Sequence, residues 1–294
     1  MNAVPAPASP AAAAAPRGGH LRYVLTENPV TLVAALLFAA LVAVALLGPW
    51  LAPHDPLATA PERALQPPSG AHWFGTDALG RDILSRCIVA ARLDLGLAVA
   101  AVALSFAVGA TLGAAAGYFG GWPDRIVSRT ADTIMAFPLF VLAMGIVAAL
   151  GNTLANIVIA TAIVNLPFYI RVARAEANVR REAGFVESAR LAGNGEWGVL
   201  MRHVFPNLLP PIAVQVSLNM GWAILNAAGL SFIGLGVRPP TPEWGIMVAE
   251  GAQYIVSGEW WVALFPGAVL MVAVFSFNLL GDALRDLLDP RRRT

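Results

Sequence analysis

Six apolar stretches, each close to the roughly 20 residues that a helix needs to cross a bilayer, run through this chain of 294 residues. They lie at 30–51, 95–119, 133–150, 154–171, 208–232 and 261–281. The second is the least sharply bounded, because residues 83–91 ahead of it are also apolar. Hydrocarbon offers no water to the peptide group, so segments of this pattern satisfy their own backbone as helices. The expected fold class is therefore an all-α integral membrane protein with six transmembrane helices. Composition agrees: 57% of residues are hydrophobic and 13% charged, and the mean hydropathy is +0.67. A soluble domain does not look like this.

Arginine gives the orientation. All 19 basic residues are Arg. With both termini inside, 14 fall on the inner side and five, Arg63, Arg81, Arg86, Arg92 and Arg238, on the outer. Positive charge collects inside, so the expectation is N-in and C-in. Trp50, Trp260 and Trp261 then mark the outer interface, and Tyr118 and Trp122 the inner one. Without a single Lys, the chain has no P-loop lysine and cannot itself hold ATP in a Walker A site. Energy has to come from a partner or an ion gradient. The lone Cys87 excludes an internal disulfide and reads as a packing residue.

Four regions follow. Residues 1–29 read as an Ala/Pro-rich disordered cytoplasmic tail, without the charge order of a signal peptide. Residues 30–94 hold the first span and an external loop. Residues 95–282 form the membrane core, interrupted by a polar loop at 172–207. A basic cytoplasmic end, 283–294, closes the chain.

The polar loop is the most specific part. Glu187-Ser188-Ala189 leads through Ala192 to Gly193, and His203-Val204-Phe205-Pro206 follows. Two short helices joined at a glycine are expected. Small residues on the first leave a surface that a partner can approach, and Gly193 takes a turn that a Cβ resists. Residues 196–204 form the second helix, and Pro206 fixes the backbone where the next span starts. The spacing resembles the EAA loop of ABC-importer permeases, with Ser188, His203 and Phe205 standing where that family has Ala, Ile and Leu. The resemblance implies a coupling helix that docks on a cytoplasmic ATPase, through Glu187, Ser188, Ala189, Ala192, Gly193, His203, Phe205 and Pro206.

Two further strings narrow the resemblance. One runs from Gly75 through Thr76, Asp77, Gly80 and Arg81 to Asp82. Its residues have local explanations: Gly75 and Gly80 permit turns, Asp77 or Asp82 can cap a helix, and Asp82 can pair with Arg86. The other spans 230–245 and ends in Pro239, Pro240, Pro242, Glu243, Trp244 and Gly245. Together with Arg202–Asn207 they are similar to the C-type subunit of dipeptide/oligopeptide permeases, from about residue 25 to 290.

That resemblance implies the type I importer permease fold in a bacterial inner membrane. It also implies a homologous second permease subunit as heterodimer partner, two cytoplasmic ABC ATPases that use ATP and Mg, and a periplasmic solute-binding protein. Thr76, Asp77, Arg81, Asp82, Glu243 and Trp244 are the docking candidates for that binding protein. The implied cargo is a dipeptide or short oligopeptide, with a nickel chelate, a glutathione-like or an opine-type compound as the alternative. Relatives often carry an acidic residue shortly before Leu230-Ser231-Phe232, where this chain has Asn226-Ala227-Ala228-Gly229.

Inside the membrane, Gly109, Gly113 and Gly117 recur every four residues, a pattern of close helix packing. Pro138 and Pro167 are expected to kink or delimit spans three and four. Asn165, Gln215, Asn219 and Asn226 are the candidates for the translocation path. The last three share a helix face, and an amide stripe is unfavourable against lipid. Asp94, Asp132, Glu176, Asp282 and Asp286 sit at span ends, so no mid-membrane carboxyl serves a proton-driven transporter. No catalytic constellation, metal-ligand set, cofactor site or nucleic-acid surface is indicated. The chain reads as a transport subunit, with membrane lipid as its remaining partner.

Overall fold

The computed structural model describes residues 29–288. Of the expected tail at 1–29, residues 1–28 lie outside the described residues, as does the end of the basic terminus, including Arg291–Arg293. The regular structure among the described residues is helical, with one isolated β-bridge between Thr76 and Asp82. In chain order the helices are α1 (Pro29–Leu51), α2 (Ile83–Phe119), α3 (Gly121–Met135), α4 (Leu139–Leu150), α5 (Leu154–Arg180), α6 (Gly184–Leu191), α7 (Glu196–Val199), α8 (Phe205–Phe232), α9 (Trp244–Ala252) and α10 (Trp261–Leu288). A π-helical turn, Leu200–Val204, joins α7 to α8.

Helices α1, α2, α5, α8 and α10 are each long and apolar enough to cross a membrane. The third expected span, 133–150, is not one rod. Helices α3 and α4 meet at 92°. Pro138 stands at the break and denies it an N–H, while its ring turns Phe137 away from helical geometry. The 12 residues of α4 reach only about 18 Å, against roughly 30 Å of hydrocarbon. Pro167, by contrast, lies inside an unbroken α5 and delimits nothing.

The glycine pattern explains why α3 and α4 must still cross. A Cβ at Gly109, Gly113 or Gly117 would stand 2.9, 2.4 or 2.2 Å from the carbonyl oxygens of Leu166, Ile170 and Arg174. Only bare backbone lets the two helices approach this closely. Both sets of numbers rise by fours, so α2 and α5 run parallel. A chain with parallel neighbours has to return between them, and α3 with α4 is that return. Arg174 donates to Asp124 at 2.8 Å and Arg171 to Asp132 at 3.0 Å, which hold α3 against α5.

The main core gathers small and branched side chains from α2, α5, α8 and the segment 186–204 around Tyr169 and Trp244. The rings of Phe38 and Phe277 meet edge-on at 5.4 Å and tie α1 to α10. Helix α2 begins at Ile83 rather than near residue 95. Its 37 residues measure about 55 Å, so it projects well beyond the hydrocarbon.

Candidate functional site

At one end of the bundle, α6, α7 and the π-turn form a knob. The polar island is shorter as a loop than its sequence suggests, because α5 continues to Arg180 and the run from Glu196 enters α8 without a break. Arg, Glu and Ala are good helix formers once outside hydrocarbon, so polarity there marks helix ends rather than a long connection. Pro206 accordingly falls in the first turn of α8, directly behind the π-turn. Gly193 does make the joint between α6 and α7. Its φ is +81° with open space around it, so its need for glycine is purely conformational. The Gly193 N–H donates to the Arg190 carbonyl at 2.9 Å, and the Asn194 side chain donates to the Ala189 carbonyl at 2.9 Å.

The knob has two faces. Val186, Ala189, Val199, Leu200 and Val204 point into the main core. Glu187, Ser188, Ala192, Gly193 and Pro206 are exposed, and His203 and Phe205 half-buried. Ala189 is therefore a packing residue and not part of a surface open to a partner. The exposed apolar side chains are Phe185, Leu191, Trp197 and Met201, with Leu191 83% exposed. Tyr118, at the last turn of α2, is only 5% exposed, so it is no interfacial belt residue. Its hydroxyl donates a very short hydrogen bond to Glu196 and accepts from Arg190 at 3.0 Å. Arg190 also pairs with Glu196 at 3.2 Å. Tyr118, Arg190 and Glu196 thus lock the two knob helices to the end of α2. Sequence reading missed this triangle because Tyr118 lies 72 and 78 residues away from its two partners.

The opposite end is a cap built from 52–82 and 233–260. The six docking candidates there, Thr76, Asp77, Arg81, Asp82, Glu243 and Trp244, are all buried. They hold the cap together rather than line its surface. Asp82 caps α2 by accepting from the Ser85 N–H at 2.8 Å and hydroxyl at 2.7 Å, and it takes His72 Nδ1 at 2.9 Å. It does not form the expected pair with Arg86, which faces Asp77 and Glu250 instead. Burial works to raise the Asp82 carboxyl, but the bonds from Ser85 and His72 and the nearby His54 outweigh it and leave the group below the ordinary aspartate range. Asp77 takes Arg81 at 2.6 Å and faces Arg86 at 3.6 Å. Gly80 is obligatory: its φ is +73° and a Cβ would stand 1.9 Å from the Ala60 carbonyl.

From the second cap segment, Trp244 Nε1 donates to the Cys87 carbonyl at 3.0 Å and its backbone N–H to Asp94 at 3.0 Å. Glu243 caps α9 through the N–H groups of Gly245 at 2.9 Å and Ile246 at 2.8 Å. The Asp94 and Glu243 carboxyls also lie close to each other. Burial raises the Glu243 carboxyl above its ordinary range despite those backbone donors. Asp94 looked like a plain span-end acid in sequence; nothing there linked it to residue 243.

The amide candidates do converge, but in a seam between α5 and α8 rather than on an open face. Asn165, Asn219 and Asn226 are buried. Gln215 donates to Asn219 at 2.8 Å, and Asn226 to Thr161 at 3.0 Å. Both polar atoms of Asn165, the Asn219 amide nitrogen and the Asn226 oxygen have no hydrogen-bond partner. Two helices that bury amides against each other satisfy the demand that kept those amides from lipid. It is the incomplete pairing that sets this seam apart.

Residues 109–294 match the family described as binding-protein-dependent transport system inner membrane component. Residues 21–68 match the N-terminal TM domain of oligopeptide transport permease C. The chain is 43% identical over 274 residues to the probable D,D-dipeptide transport system permease protein DdpC of Escherichia coli K12, covering 93% of this chain and 92% of the relative. It is 43% identical over 270 residues to the dipeptide transport system permease protein DppC of Alkalihalophilus pseudofirmus, covering 92% and 88%. To the glutathione transport system permease protein GsiD of Pectobacterium atrosepticum it is 41% identical over 266 residues, covering 90% and 88%. ATP hydrolysis in such systems belongs to a separate ATPase, and a binding protein accompanies the permease. This multi-pass, non-enzymatic helical bundle belongs to the inner-membrane permease components of binding-protein-dependent ABC transport systems.

Proposed function

We propose that this chain is the C-type permease subunit of an importer for dipeptides or short oligopeptides, with the knob end cytoplasmic and both termini inside. The observation that carries this reading is the knob: two helices hinged at Gly193, apolar outward and locked inward to α2 through Tyr118. Two ATPases that close on ATP press on such knobs, one from this chain and one from a homologous second permease. The bundles then shift, and the cavity between the two permeases opens to the side where the binding protein delivers cargo. The buried cap network fixes the shape of the surface on which that binding protein sits, and exposed residues such as Trp73 and Val256 make the contact. The amide seam of α5 and α8 becomes part of the cargo wall in the state in which those helices separate.

Cross-linking tests the knob. A cysteine at Leu191 or Ala192, in a chain lacking Cys87, is expected to bond to a cysteine on the ATPase in the purified complex. Absence of any cross-link in every nucleotide state would refute the coupling role. A cysteine at Asn219 is expected to react with a water-soluble thiol reagent in at least one transport state; if it is silent in all of them, the seam is packing alone. Cargo has a second reading in glutathione-like compounds, favoured by the likeness to GsiD. Competition for uptake between unlabelled dipeptides and glutathione separates the two.

A further inference from the structure

We propose that His54, His72 and Asp82 form a binding site for a divalent transition cation, Zn²⁺ by its donor set, at the cap end of the molecule. One donor atom from each residue lies within 4.8 Å of the other two. His72 Nδ1 is 2.9 Å from Asp82 Oδ1, and His54 Nδ1 is 3.7 Å from Asp82 Oδ2. Bonds of about 2.0–2.1 Å at tetrahedral angles put neighbouring ligands about 3.3 Å apart. The two observed separations lie on either side of that value, each to a different carboxylate oxygen, and an ion would draw the set, now spread within 4.8 Å, together around itself.

A hydrogen bond accounts for His72 against Asp82, but not for His54. Its ring approaches the same carboxylate at a distance too long for a hydrogen bond, and packs 4.7 Å from the His72 ring, centroid to centroid. Two imidazoles turned onto one carboxylate make a donor set for a borderline cation. Mg²⁺ and Ca²⁺ want six or more oxygens, which are not gathered here.

The carboxylate is held for the task. Ser85 occupies Oδ2 through its N–H and hydroxyl, and the same hydroxyl oxygen accepts from the His54 backbone N–H at 3.0 Å. Such outer bonds orient a ligand group and set metal affinity. Burial divides the roles: the His72 and Asp82 side chains are 7% and 2% exposed, and the His54 side chain 41%. The fourth position therefore opens to solvent beside His54, where water or a group from outside can complete the tetrahedron. The three ligands come from the exit of α1, the cap loop and the first turn of α2, so the ion would clasp three separate pieces of the cap.

The test uses the intact transport complex in lipid nanodiscs, carrying an affinity tag without histidine. Co²⁺ is titrated at about pH 7.5, where ordinary imidazoles are neutral, and then displaced with Zn²⁺. Expected are one equivalent of tetrahedral ligand-field absorption per permease chain and displacement at micromolar Zn²⁺ or below. Outer-shell losses alone cost metal sites about 10- to 100-fold in affinity, so His54→Ala should weaken binding at least about tenfold. His54 is partly exposed, so this variant should keep the metal-free unfolding midpoint, while Zn²⁺ should raise that midpoint in the wild type only. His203→Ala should bind as the wild type does. Lack of saturation up to millimolar metal, or a His54→Ala protein that binds as tightly as the wild type, overturns the proposal.

Discussion

Gly193 and Tyr118 carry the knob in opposite ways. Gly193 touches nothing with the side chain it lacks, yet its φ of +81° costs an ordinary residue about 1–2 kcal/mol. Gly193→Val should therefore leave the protein in the membrane while α6 and α7 lose their angle, and transport should fall steeply in an uptake assay. Gly193→Asn, which tolerates this backbone better, should retain most of it. Tyr118→Phe removes only the hydroxyl. It leaves Glu196 and Arg190 paired with each other but loosens both from α2. The expected result is ATP hydrolysis that continues while uptake per ATP drops, measured in proteoliposomes. Gly193 was legible in the sequence because a left-handed turn has a residue signature. Tyr118 was not, because hydrogen bonds between residues far apart leave no local mark.

Among helices, legibility follows how much of the reason for folding is local. Helices α1 and α10 start within a residue of the expected spans, because an unbroken apolar run needs no tertiary partner to become a helix in hydrocarbon. The third span was legible in its place but not in its shape, because hydropathy counts residues and does not see a bend: Pro138 was noted, but not its 92° consequence. The cap ends of α2 and α9 were misjudged as surface for a related reason. Asp77, Asp82 and Glu243 are polar, and their burial is tolerable only because each is paired: Asp77 with Arg81 and Arg86, Asp82 with Ser85 and His72, and Glu243 with the N–H groups of Gly245 and Ile246. The glycine seam was read correctly as packing, though its parallel sense needed the structure. Gly113→Leu would push a side chain into the Ile170 backbone, which a Cβ alone meets at 2.4 Å. Such overpacking typically costs about 1–3 kcal/mol, occasionally more. The expected outcome is lower yield of assembled complex and a lower unfolding midpoint, whereas Gly96→Leu, with open space around it, should be neutral by the same measurement.

For the molecule as a unit, orientation is the prediction that binds the rest together. A reporter active only outside the inner membrane is expected to work when fused near Ala60 or Gly251, in the two halves of the cap. It should stay silent near Arg125 or Arg190, at the knob end. Activity at Arg190 would invert the bundle and remove the ATPase from the knob. Cap and knob stand at the two ends of one element, since Asp82 caps the start of α2 and Tyr118 sits in its last turn. An α-helix of this length is stiff along its axis, and the seam with α5 splints most of its second half. A load applied at Glu196 is therefore transmitted to Asp82 as a displacement of the whole strut, with little taken up as strain along the way. Spin labels at the exposed positions Val99 and Leu112 should then hold one separation, about 20 Å, through the entire ATP cycle. The compliance of the machine has to reside elsewhere, and the 92° corner at Pro138, where no continuous helix runs, is one joint that can supply it.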